Sequence, residues 1–394
     1  MNDSRKATIA YDPVLLAAIF GLVGFGLVMV YSSSAITAQD KLGDGFFFLK
    51  RQAFGGGHRL RGHGAGDEAR LPAHGAAGVP RCCVIAIDSA GGGAGARRGH
   101  GGRGRASRWL RVPGVSVQPA ELAKLAWVIY LAYSLAKKQE KVKSFSIGFL
   151  PHLGVATLLV VLCMLEPDFG SAVALLFLMF VMLFAAGARL SYLVGLVLAA
   201  IPFAYAAIAT SPYRMKRITA FLDPWANRQG SGYQVAESLM SIGSGGLTGL
   251  GLGEGRQKLY FLPEAHTDFI FAIVGEELGL VGVGLLVLLY AVVIWRGLRA
   301  ALRATEAFGT YLGLGVTSLI AFQACVNMAV AMGLVPTKGL TLPFISYGGS
   351  SLVVLMGAAG LLLSVSTSAT DGGRRRARVS KVTAAPVNAA GVPA

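Results

Sequence analysis

The chain has 394 residues, of which 54% are hydrophobic and 14% charged, and its mean hydropathy is +0.59. A soluble domain carries about a quarter charged residues, so this composition excludes a disordered chain, a coiled coil and a small disulfide scaffold, and indicates a polytopic membrane protein. The net charge of +16 then reads as basic cytoplasmic loops facing anionic lipid, or as a surface for a phosphate-bearing substrate, rather than as a nucleic-acid surface.

The first 35 residues place a charged start before an apolar run from 13 to 33. That run is too long for a typical signal-peptide core and reads as an uncleaved first span. Further runs follow at 119–136, 147–165, 170–188, 190–210, 269–295, 309–333 and 342–366. Each is long enough to cross about 30 Å of hydrocarbon as a helix, and helices satisfy their own backbone in lipid. The expected fold is therefore all-α, a single membrane domain over 1–394 with eight clear spans. Basic clusters at Arg5 and Lys6, Lys137 to Lys143, Arg296 to Arg303 and Arg374 to Arg378 place both ends in the cytoplasm. Residues 211–267 then form a large loop outside. The tail at 367–394 reads as disordered.

Residues 53–106 do not fit. They hold 16 of the 53 glycines, four of the six histidines, eight arginines and the Cys82–Cys83 pair, with neither helical nor strand periodicity. Their composition resembles a GC-rich gene read out of frame. The expectation is a compensated frameshift that replaced two spans. The alternative is a genuine Gly/Arg-rich linker. No metal or disulfide spacing emerges from the four cysteines.

Four polar clusters interrupt the apolar text. In YFLPEAHTDFIFAIVGEELG, Glu264, His266 and Asp268 gather at the mouth of a span, with Glu276 and Glu277 two turns further in. Ionisable groups inside a span line cavities or pair with other charges, and this cluster suits proton transfer to a substrate held at the boundary. The plainer readings are a helix cap for Asp268 and buried ion pairs for the two glutamates. In EPDFG, Asp168 is either a turn residue or part of the site. In QPAELAK, Glu121 and Lys124 are spaced to pair with each other, close to Arg108. In GLVPTKGLTLPFISYGGSS, Lys338 sits in a Pro- and Gly-broken approach to the last span; such approaches line substrate sites, although a plain turn is the simpler reading.

These motifs, with FLDPWANRQGSGYQ and GLGLGEGRQKLYF, resemble the SEDS family (shape, elongation, division and sporulation) of bacterial cell-wall polymerases. The wording PEAHTDF and PTKGLTLPFISYGGSS favours its division branch over its elongation branch. The resemblance implies about ten spans. It implies polymerisation of lipid II, the undecaprenyl-diphosphate-linked disaccharide pentapeptide, beside a class B penicillin-binding transpeptidase and other division proteins. It places the catalytic aspartate at Asp268. A diphosphate leaves readily, so one base suffices, with cations to stabilise the departing charge. The candidates are Lys338, Lys124, Arg108, Arg256 and Lys258, or a divalent cation such as magnesium or manganese. A lipid II flippase is the alternative reading of the same features.

Overall fold

The computed structural model describes residues 11–52, 110–112, 115–166, 168–259 and 261–383, with backbone alone at 110–117 and 368–383. Residues 53–106, with Cys82 and Cys83, lie outside the described residues, as does Arg108. Helices occupy all eight apolar runs: α1 (Pro13–Leu42), α2 (Pro119–Lys137), α3 (Leu150–Leu165), α4 (Phe169–Ala185), α5 (Leu190–Ala209), then α8 (Ile270–Arg303), α9 (Ala307–Ala331) and α10 (Gly349–Thr383). A single π-helical turn, Phe145–Phe149, leads into α3. Two short helices, α6 (Pro212–Leu222) and α7 (Tyr233–Gly245), build the long 211–267 loop. A three-residue antiparallel pair, β1 (Leu110–Val112) and β2 (Val115–Val117), precedes α2.

Among the described residues, six helical segments are long and apolar enough to cross a membrane: α1, Phe145–Leu165, α5, α8, α9 and Gly349–Thr367 of α10. α4 has 17 residues, and α2 carries Glu121 and Lys124 in its first turns. The last helix begins at Gly349, seven residues later than the apolar run suggested. Pro343 and the side-chain bonds of Ser346 hold 342–348 in a turn. At its other end α10 continues to Thr383, into the segment expected to be a disordered tail. Its text, Arg-rich after Thr370, contains no proline before Pro386.

Local chemistry sets the ends. Asp12 accepts hydrogen bonds from the Val14 and Leu15 N–H groups, with Pro13 as the first helical residue, and Gly43 closes α1 in the left-handed region, as expected at helix ends. α5 buries only Leu193, so its surface is left to lipid.

α8 is interrupted. Gly279 has φ 61° and ψ −160°, a conformation essentially reserved for glycine. The loop after α7 threads into the break. Leu250 and Gly251 N–H donate to the carbonyls of Glu276 and Glu277, while Leu280 and Val281 N–H donate to Gly246 and Leu247, all at 3.0–3.1 Å. A side chain on Gly279 would place its Cβ 2.3 Å from Gly249 N. The loop thus pairs four backbone groups of α8 on the two sides of the break.

Two polar ties mark the thickness of the bundle. At one end Arg296 Nε donates to Asp12 Oδ2 at 2.7 Å. At the other, Ser32 of α1 donates to Glu277 of α8 at 2.5 Å. Twenty residues of α1 separate Asp12 from Ser32, about 30 Å at the rise of an α-helix, which is about the thickness of the hydrocarbon layer. Glu276 and Glu277 therefore lie at the boundary of the span, not deep inside it. Asp268 lies beyond them, past the half-helix 270–278.

Candidate functional site at the mouth of the bundle

Asp268 ends a compact turn. The Glu264 carbonyl accepts from Thr267 N–H at 3.1 Å, Phe269 N–H at 3.3 Å and Thr267 Oγ1 at 3.2 Å. The Glu264 carboxylate accepts from Thr267 Oγ1 at 2.8 Å. Glu264 adopts a positive φ of 59°, uncommon for a residue with a side chain. The N-cap of α8 is Phe269, with no side-chain capping bond. Capping by Asp268, one sequence reading, is therefore not what this residue does.

A second segment, 337–348, locks onto this turn. Tyr347 N–H donates to His266 O at 2.9 Å, and Ser346 Oγ donates to Thr267 O at 2.5 Å. Tyr290 of α8 donates to Pro343 O at 2.5 Å. Phe344 takes a positive φ of 67° to complete the turn. The rings of Phe48, His266 and Tyr347 pack together at 4.8–6.0 Å. Burial holds the His266 pKa below the usual histidine value, against the pull of Glu264. This ring is a packed, largely neutral member of the wall.

The interlock brings Asp268 against the segment that carries Lys338. Asp268 is half-buried, and its Oδ2 lies 3.2 Å from where a Cβ on Gly339 would stand. The carboxylate therefore faces the backbone immediately after Lys338. Lys338 Nζ sits 4.9 Å from the centre of the Phe169 ring, a cation–π arrangement. Burial lowers its pKa and the nearby Asp168 charge opposes that shift. Asp168 itself caps α4, accepting from Ser171 N–H at 3.1 Å and Ser171 Oγ at 2.7 Å. It is a turn residue and also an electrostatic neighbour of Lys338.

The other candidates separate from this centre. Lys124 and Glu121 form a buried pair at 2.7 Å, with Gln323 Nε2 3.4 Å from Glu121 Oε2. Lys258 pairs with Glu277 at 2.6 Å, and both are closed to water. Glu276 Oε1 accepts from the N–H groups of Arg256 and Gln257 at 2.6 and 3.2 Å, and Oε2 from Ser241 Oγ at 3.0 Å. Glu276, Glu277 and Lys258 thus anchor the loop that enters the α8 break. The Arg256 side chain is exposed. Sequence reasoning missed Asn327, whose amide reaches the Asp268 backbone at 2.9 Å, and Arg217, which holds Thr337 O at 2.9 Å. Two amides four residues apart, Gln323 and Asn327, in the largely apolar text of α9 were the available signal. Among the described residues, no three His, Cys, Asp or Glu side chains stand together to hold a metal.

Residues 100–371 match the family described as cell cycle protein, that of FtsW, RodA and SpoVE. The chain belongs to this family. Relatives confirm it over most of the chain's length. A probable peptidoglycan glycosyltransferase FtsW of Geobacter metallireducens is 46% identical over 367 residues, 91% of this chain and 95% of the relative. The stage V sporulation protein E of Bacillus subtilis is 40% identical over 365 residues, 90% of this chain and 96% of the relative. Among solved structures, a chain of a peptidoglycan synthase complex that coordinates polymerization and crosslinking superposes with a TM-score of 0.69. It is 28% identical and covers 92% of this chain and 99% of its own. The rod shape determining protein RodA of Thermus thermophilus gives a TM-score of 0.60 at 28% identity, over 91% and 97% of the two chains. The family fold is an all-helical, multi-pass membrane bundle, as the composition indicated, and FtsW relatives are favoured over RodA.

Proposed function

We propose that this protein is a peptidoglycan glycosyltransferase of the division type. It polymerises lipid II outside the bacterial cytoplasmic membrane, at the septum, with both termini in the cytoplasm. The observation that carries this reading is the Asp268 carboxylate facing the backbone next to Lys338, on two interlocked segments at the mouth of the bundle. The chemistry follows from that pairing. A sugar hydroxyl of one substrate forms a bond to the anomeric carbon of the other. The bond from that carbon to the diphosphate oxygen breaks, with inversion, and the lipid diphosphate leaves with the electron pair. Asp268 takes the hydroxyl proton. Lys338 supplies positive charge where the leaving group becomes more negative. A divalent cation would add to that charge. Glu264 and His266 shape the turn that carries the base. Lys124 and Lys258 are committed to carboxylate partners and serve the scaffold.

A class B penicillin-binding transpeptidase and other division proteins are the proposed partners. The deciding assay is lipid II polymerisation by the protein with that partner, for wild type and Asp268→Asn. Glycan strands from the wild type alone support the enzyme and its base. Strands from both remove Asp268 from the mechanism. Lipid II translocation into vesicles that survives Asp268→Asn, without strands, would favour the flippase. Residues 53–106 carry a separate proposal. Their coding DNA, read in the other two frames, should give apolar text for two spans; polar text in both would establish the Gly/Arg-rich linker instead.

A further inference from the structure

α9 passes behind the site and presents two amides on one face. Gln323 and Asn327 are four residues apart, which aligns them on a helix, and both are fully buried. Asn327 Nδ2 donates to Asp268 O at 2.9 Å and to Leu340 O at 2.6 Å. One amide group therefore bridges the residue that carries the carboxylate and the segment that carries Lys338. Its orientation is determined, because both neighbours are carbonyl oxygens and accept only. Turned over, the amide would set oxygen against oxygen.

The bridge is a poor way to stabilise a fold. Asn327 Oδ1 is buried with no hydrogen-bond partner among the described residues. The net gain of two neutral hydrogen bonds is roughly offset by one orphaned buried acceptor. An apolar side chain of the same size would remove that orphaned oxygen but leave the Asp268 and Leu340 carbonyls without this donor, so the exchange would cost some stability. What the amide supplies is geometry. It ties the backbone of residue 268 to that of Leu340, two positions after Lys338, and so fixes how the segment bearing the base sits against the Lys338 segment.

We propose that Asn327 is a positioning residue for Asp268. It holds the base in register with the Lys338 segment without touching substrate. The inference rests on the reading of Asp268 as the general base. Misplacement of a reacting group by about 1 Å costs roughly a hundredfold in rate, and this sets the expected effect.

The test is steady-state lipid II polymerisation by the protein with its transpeptidase partner. Asn327→Leu keeps the volume and removes the bridge. Asn327→Asp keeps the shape and removes the two donors. Asn327→Gln keeps the donors on a longer arm. The Leu and Asp variants should lose about a hundredfold in kcat per folded protein with KM for lipid II unchanged, while the Leu variant stays folded in detergent with a modestly lowered melting temperature. The Gln variant should recover part of the rate. Full kcat in the Leu variant overturns the proposal. So does a rate loss that follows the loss of folded protein, or a rise in KM with kcat unchanged. Asp268→Asn is measured alongside. If it is inactive while Asn327→Leu is active, this inference alone fails. If it keeps full rate, the reading of Asp268 as base fails as well.

Discussion

Lys258 and Glu277 form an ion pair of 2.6 Å that water does not reach. The ammonium also donates to Gly253 O at 2.6 Å, and the carboxylate accepts from Ser32 Oγ and Gly253 N–H. Removing one partner of such a pair leaves an uncompensated buried charge, at about 3–5 kcal/mol. Lys258→Met and Glu277→Gln, made singly, should each lower the melting temperature in detergent. The double variant should recover most of the loss, because two neutral groups remain and Gln can still accept from Ser32 and Gly253. It should also polymerise lipid II. A stable but inactive double variant would return Lys258 to the list of diphosphate ligands.

The spans and the polar clusters were legible in the sequence because each is a local signal. An apolar run of spanning length needs no partner to be recognised, and eight such runs became helices. The assignment of each charge was not legible, because it depends on what folds against it. The text of Glu276 and Glu277 looks like a proton-transfer cluster until the loop at 246–258 is seen to enter the break at Gly279. Asp268 looks like a helix cap until α8 is seen to start one residue too late. Asn327 reads as an isolated polar residue until Leu340, thirteen positions on, comes back beside Asp268.

The break in α8 should tolerate no side chain. At Gly279 an added Cβ would meet Gly249 N at 2.3 Å and Leu247 O at 2.6 Å, and the backbone conformation alone costs about 1–3 kcal/mol for other residues. Gly279→Ala should therefore expel the 246–251 loop, and limited proteolysis should then cut at Arg256 and Lys258. Gly284 lies in the same helix with nothing within 4 Å of an added Cβ. Gly284→Ala should leave the melting temperature unchanged or raise it, since alanine is the better helix former. Equal resistance to protease in both variants would show that the loop does not depend on the break.

His266 should make the fold acid-sensitive. Burial, with Lys41 adding to it, holds its pKa below 6.5 in the folded protein, against the opposite pull of Glu264. The unfolded chain regains the ordinary value and binds more protons in the window just below it. Stability then rises with pH through that window and is lost as pH falls from 6.5 toward the folded value. His266→Phe keeps a ring against Phe48 and Tyr347 and removes the titration. Between pH of about 7.5 and 5.5 the wild type should lose more melting temperature than this variant. Parallel curves for the two proteins would mean that the His266 proton contributes nothing.

The two polar ties predict which residues face which side of the membrane. Leu42 lies ten residues beyond Ser32 on α1 and is 51% exposed, while Leu302 lies six residues beyond Arg296 on α8 and is 73% exposed. In a background with the four native cysteines replaced by serine, Leu42→Cys should react with a membrane-impermeant maleimide in intact spheroplasts. Leu302→Cys should react only after lysis. The expectation follows from the basic residues Arg296, Arg299 and Arg303 at that end of α8, since positive charge marks the cytoplasmic side. The reverse pattern would put Asp268 on the cytoplasmic face. It would then be unable to act on a substrate already carried to the outer surface, and polymerisation outside the membrane would have to be abandoned for this site.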